Sequence, residues 1–208
     1  MKYIIGIDFD NTIVNHDDMM YELAVQEGLI DPGIEKSKKH IRDGIRQLPD
    51  GEVEWQRLQS IVYGQKMEGG RLIEGVRSFF ALSKEHKATV YIISHKTEYA
   101  KLGDRLTNLR VAALAWMRRE GFFQLDEFGL SPDMVYFEST RSEKINRISH
   151  LKCTHFIDDL EETFLENSFP ATVEKILYAP QLEHESLPGV RVLTTWGDIT
   201  DYFFGTRS

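Results

Sequence analysis

Six short apolar runs constrain the fold of this chain more than anything else in it: Tyr3–Ile7, Thr89–Ile93, Val135–Phe137, His155–Ile157, Lys175–Tyr178 and Val190–Leu193. Most are nearly continuous rather than alternating. Such runs have to be covered on both faces, which is the situation of strands in a parallel sheet. Stretches with helical period lie between them. Val76, Phe79 and Phe80 form one short apolar face, and Leu102, Leu106, Leu109, Ala113 and Trp116 step along a longer helix. Arg118-Arg119 followed by Gly121 reads as the end of that helix. Strands alternating with helices predict an α/β fold: a Rossmann-like, doubly wound, mostly parallel sheet with right-handed crossovers.

Residues 15–70 break the alternation, with helical period but no convincing strand. Met20, Leu23 and Ala24 suggest one helix, Ile41, Ile45 and Leu48 a second, and Trp55, Leu58 and Ile61/Val62 a third. Asp31-Pro32-Gly33, Pro49-Asp50-Gly51 and Gly69-Gly70 separate them. Three short helices bury little by themselves, so the segment reads as a small α-helical cap, or lid, inserted after the first strand. The expected organisation is a core of residues 1–14 and 71–208 with the cap at 15–70. A length of 208 residues suits one domain with such an insertion.

Composition narrows the function. At 41% hydrophobic and 28% charged residues, wholesale disorder is excluded. The 25 basic and 33 acidic residues leave a net charge of −8, which disfavours binding along a nucleic-acid backbone. One cysteine, Cys153, rules out an internal disulfide or a cysteine-based zinc site, and reads as a small buried apolar residue. No apolar run approaches the ~18 residues of a membrane span. The apolar N-terminal run is too short for a secretion signal, so no membrane association and a cytoplasmic location are expected.

The chemistry sits at strand ends. The first strand runs into Asp8-Phe9-Asp10-Asn11-Thr12. Two carboxylates two positions apart at the end of a buried strand are costly to hold together, and a capping role accounts for only one of them. The carboxyl edge of an open α/β sheet is also where ligands bind. The second run ends in Ser94, followed by His95 and Lys96, and another ends in Asp158-Asp159. Lys144 begins an amphipathic stretch 14 residues before Asp158. Parallel strands bring Asp8, Asp10, Ser94 and Asp158 to one edge.

This order of residues resembles the haloacid dehalogenase (HAD) superfamily, in its phosphatase branch with a small helical cap between the first and second motifs. The resemblance spans residues 8–159: Asp8-x-Asp10-x-Thr12 after the first strand, then Ser94, Lys144 and Asp158-Asp159. Asn11 stands where a glycine is commoner in the family. The resemblance implies a Mg²⁺-dependent phosphatase acting on a small phosphorylated metabolite through an aspartyl-phosphate. Asp8 would be the nucleophile and Asp10 the acid and base. Lys144 would neutralise charge, and Ser94 would donate to a phosphoryl oxygen, with Thr12 and His95 at the substrate. Asp8, Asp10 (through its carbonyl) and Asp158 would hold the metal, with Asp159 either a further ligand or an orienter of Lys144. Members that dehalogenate lack the carboxylate at the Asp10 position, so phosphoryl chemistry is favoured.

Elementary electrostatics agrees. Like charges ~4 Å apart repel by about 4 kcal/mol at an effective dielectric near 20, so a carboxylate attacking a phosphate dianion needs cations beside it. A hard divalent ion and an ammonium group would supply them. Plainer roles stay open residue by residue. Ser94 suits a helix cap and Lys144 a solvated helix start, with Arg141 and Lys96 as substitutes. His95 and His16 suit structural positions, and the run Lys36, Lys38, Lys39, His40, Arg42 and Arg46 suits a solvated face. A phosphotransferase or mutase using the same aspartyl-phosphate is the nearer alternative, and a non-catalytic binding module on the same scaffold the more distant one.

Overall fold

The structure is a computed structural model that describes residues 2–103, 105–181 and 187–205. The chain runs β1 (Ile4–Ile7), β2 (Val14–Asn15), α1 (Asp17–Gln26), α2 (Lys38–Ile45), α3 (Gly51–Val62), β3 (Arg71–Leu72), α4 (Val76–Glu85), β4 (Thr89–His95) and α5 (Leu109–Arg119). It continues through β5 (Val135–Glu138), α6 (Arg141–His150), β6 (His155–Asp158), α7 (Glu161–Leu165), β7 (Glu174–Tyr178), β8 (Val190–Leu193) and α8 (Trp196–Phe204). All six apolar runs are strands, and together they form one parallel sheet in the order β5-β4-β1-β6-β7-β8. The α/β, Rossmann-like, doubly wound architecture expected from the sequence is therefore the observed one.

The strand order places the site. From β1 the chain moves outward through β4 to β5, then returns to the other side of β1 and continues outward through β6, β7 and β8. Connections thus diverge between β1 and β6, which makes the carboxyl ends of those two strands the switch point where ligands bind in such sheets. Ile7 is paired with Ile157, so Asp8 and Asp158 are the next residues on adjacent strands. Gly6 allows this close packing. A Cβ there would lie 2.6 Å from the Phe156 ring and 3.2 Å from the Cys153 sulfur. Phe156 and Cys153 belong to a core with Ile93, Ile145, Ile148, Phe164 and Leu177.

The chain divides into two compact units. The α/β unit comprises Met1–Ile13, Leu72–Lys96 and Gly121–Ser208, and the helical unit Val14–Arg71 and Thr97–Glu120. The helical unit has its own core, in which Met20, Leu23 and Ala24 of α1 meet Ile41 and Ile45 of α2 and Trp55, Leu58 and Val62 of α3. The segment 97–120, which the sequence reading leaves in the core, packs with the insertion instead. Trp116 of α5 is buried, and its Nε1 donates to the Gly70 carbonyl at 2.8 Å. A paired strand, which the sequence did not show, closes the insertion: β2 and β3 form a two-residue ribbon. The helix predicted from Leu102 begins only at Leu109. Asn108 caps it by accepting from the Arg110 and Val111 amides, and Leu106 is left 92% exposed.

Candidate active site

The site is built from three strand ends and one helix. At the end of β1 the chain turns through Asn11 in the left-handed region (φ 62°). Asparagine tolerates that conformation better than other residues with a side chain, which accounts for its standing in for glycine. Thr12 follows, fully buried; its carbonyl accepts from Trp196 Nε1 at 2.9 Å, and its hydroxyl has no hydrogen-bond partner among the described residues. On β4, Ser94 is buried two residues beyond Ile92, the partner of Ile7. Strand alternation then exposes His95 and buries Lys96. His95 Nε2 donates to the Ser139 carbonyl at 3.1 Å, so its ring is held by the neighbouring β5–α6 connection.

Lys144 is delivered by α6, whose start is fixed by a capping box between Thr140 and Glu143. The α6 residues Ile145 and Ile148 are buried in the same core, and Lys144 is buried beside them. Its ammonium donates to Asp8 Oδ1 and to Asp158 Oδ2, both at 2.7 Å. Arg141 instead pairs with Glu166 at the surface. The two Lys144 partners are enclosed with it, with side-chain exposures of 2% for Lys144, 8% for Asp8 and 0% for Asp158. Asp158 has a second function, accepting from the Leu160 amide at 3.0 Å where the chain turns toward α7.

Asp8, Asp158 and Asp159 can each point an oxygen so that all three lie within 4.8 Å of one another. Burial pushes the Asp8 carboxyl above the usual carboxylate range; Lys144 opposes this, and Asp159 and Asp10 push it further up. Burial likewise raises Asp158, with Lys144 again opposing and Asp8 adding to the shift. Burial alone would lower Lys144, but the adjacent Asp158 and Asp8 outweigh it and hold the ammonium charged.

The Asp10 side chain faces a different cation. Its Oδ2 is 2.7 Å from Lys96 Nζ. The sequence reading kept Lys96 as a substitute for Lys144 and expected both lysines to face phosphate. The signal for Lys96 was present in the spacing, because residues 94 and 96 share a face of the strand end. Among the described residues, Asp8, Asp158 and Asp159 bring three carboxylates together, with the Lys144 ammonium shared between Asp8 and Asp158. A divalent cation preferring oxygen ligands fits that donor set.

No family model matches the chain, and no curated protein matches it. Solved structures do. A haloacid dehalogenase-like hydrolase of Streptococcus pneumoniae superposes with a TM-score of 0.64 at 12% identity, covering 97% of this chain and 98% of the other. A HAD family hydrolase of Deinococcus radiodurans, with bound phosphate and sodium, gives a TM-score of 0.57 at 14% identity over 97% and 95% of the two chains. The chain has the haloacid dehalogenase-like fold. A HAD-hydrolase of Bacillus subtilis bound to magnesium is similar over 99% of this chain and 100% of its own, with a TM-score of 0.54 at 13% identity. Among the described residues, no helix is long and apolar enough to cross a membrane.

Proposed function

We propose that this HAD-like chain is a Mg²⁺-dependent phosphatase that hydrolyses a small organic phosphate monoester through an aspartyl-phosphate on Asp8. The observation that carries this reading is the buried Lys144 ammonium shared between Asp8 and Asp158, with Asp159 close enough to complete a three-carboxylate cluster. Bound phosphate and bound magnesium in two of the solved structures with this fold support it.

The steps follow from the residues. One Asp8 oxygen attacks phosphorus as the bond to the leaving oxygen breaks, and Asp10 gives that oxygen its proton. Water then attacks the aspartyl-phosphate while Asp10 takes up a proton, releasing inorganic phosphate and regenerating Asp8. Lys144 offsets the negative charge that builds up as the two anions meet, and Ser94 is assigned as a donor to a phosphoryl oxygen. Thr12 and His95 are assigned to the substrate side. Asp8, Asp158 and Asp159, together with the Asp10 carbonyl, would hold Mg²⁺, which supplies Lewis-acid stabilisation of the phosphoryl oxygens when bound. Dehalogenation has no use for an acid at position 10.

A panel of phosphorylated metabolites with Mg²⁺, scored by phosphate release, tests the proposal. Wild type is expected to hydrolyse at least one monoester, and Asp8→Asn to lose at least about 10⁴-fold. Excess EDTA is expected to abolish the activity, and Mg²⁺ to restore it. Asp8→Asn with retained turnover rejects the nucleophile, and turnover in EDTA rejects the metal.

A further inference from the structure

The described α/β unit buries a second lysine at the sheet edge that the four motifs do not use. Lys96 Nζ lies 2.7 Å from Asp10 Oδ2, with side-chain exposures of 2% and 14%. Its backbone is pinned, because the Lys96 amide donates to the Glu138 carbonyl at 2.9 Å at the end of β5. Its ammonium also lies 5.8 Å from the centroid of the Phe9 ring. Phe9 itself is fully buried and packs edge-on against Phe137 of β5, 5.8 Å away. Lys96 is therefore held at both ends, by a strand amide and by a packed ring, and its charge is aimed at Asp10. Lys144, the other buried cation of the edge, is engaged with Asp8 and Asp158.

We infer that Lys96 is a positioning residue for the acid and base: it fixes the rotamer of the Asp10 carboxylate so that the group meets the leaving oxygen. The inference rests on the proposed phosphatase reading. A carboxylate on a turn is free to rotate about two bonds, and misplacement by about an ångström costs on the order of 100-fold in a positioned reaction. A buried ammonium on a rigid strand end removes that freedom. Lys96 then acts through Asp10, and its loss is felt in proportion to how much the leaving group needs a proton. Phosphoryl transfer to Asp8 requires little help when p-nitrophenolate departs and much when an alkoxide does.

The test compares kcat/KM, which reads the transfer to Asp8, for p-nitrophenyl phosphate and for the fastest alkyl monoester of the panel above. Lys96→Met is expected to lower the alkyl value by about 10- to 100-fold and the aryl value by less than about 3-fold. Lys96→Gln, which keeps a donor for Asp10, is expected to recover most of the alkyl loss. Asp10→Asn in the same assay shows the full leaving-group dependence. Equal losses on both esters, or no loss on either, overturn the inference while leaving the phosphatase reading intact. Failure of both Lys96 variants to fold, seen in thermal melts, also overturns it, because the pair is then a structural one. No hydrolysis by wild type defeats the phosphatase reading, and the inference with it.

Discussion

Among the described residues, the two units differ in burying ion pairs: the α/β unit has buried ones beside its exposed ones, and those of the helical unit are all partly exposed. In the helical unit, Arg57 pairs with Glu27 and with Glu54, and all three side chains stay about 30% exposed. Arg46 with Glu52 and Arg71 with Asp18 are more exposed still. In the α/β unit, Lys144 and Lys96 are 2% exposed and hold carboxylates at 2.7 Å. Surface pairs of the first kind contribute little, because water already solvates both charges. Buried ones carry a desolvation penalty that the local contacts must offset, and a fold retains them where the charges have work to do. Both units are packed around apolar cores, so the contrast lies in where buried charge is placed.

The largest expected effect lies at Lys144. Lys144→Met removes the one ammonium between Asp8 and Asp158 and should destabilise the protein by about 3–5 kcal/mol in denaturant melts. A melt unchanged from wild type would mean that the buried charges are no more costly than surface ones. Arg57→Ala should change stability by less than about 1 kcal/mol, even though it breaks two ion pairs at once. A drop as large as that of Lys144→Met would erase the contrast.

The smallest effect tests whether the α/β unit tolerates buried charge away from the carboxyl edge. His155 stands at the opposite, amino end of β6, where burial pulls its pKa below the ordinary histidine value. Its folded pKa is thus lower than its unfolded one, near 6.5. The unfolded chain binds the extra proton, so the contribution is fully present above about pH 6.5 and is lost as pH falls through the folded value. Melting temperature should fall more steeply from pH 7 to pH 5 in wild type than in His155→Phe. Parallel pH profiles would reject the assignment.

Much of this was legible in the sequence because it is local or periodic. The continuous apolar runs mark strands covered on both faces, and every one of the six is found in the sheet. Asp8, Asp10, Ser94 and Asp158 could be placed at one edge because parallel strands end together. What failed was also local. The heptad-like series through Leu102 and Leu106 gave no sign that Asn108 would start α5 afresh. Nor did it show that 97–120 would pack with the insertion.

Partner choice was beyond the sequence. Lys144 and Asp8 are 136 positions apart, and the sequence favoured Lys144 without excluding Arg141, which reaches Glu166 at the surface. Lys96 and Asp10 carry the same lesson, since only the register of β1 against β4 brings them together. The amino-acid pattern alone determined that a parallel sheet forms and that acids crowd one edge of it, because side-chain burial and the carboxyl-end rule depend only on type and order. The tertiary structure decided which ammonium faces which carboxylate. Burial raises the electrostatic stakes of each pairing, and a difference of one helical turn or one strand residue sends a lysine either into the site or out to water.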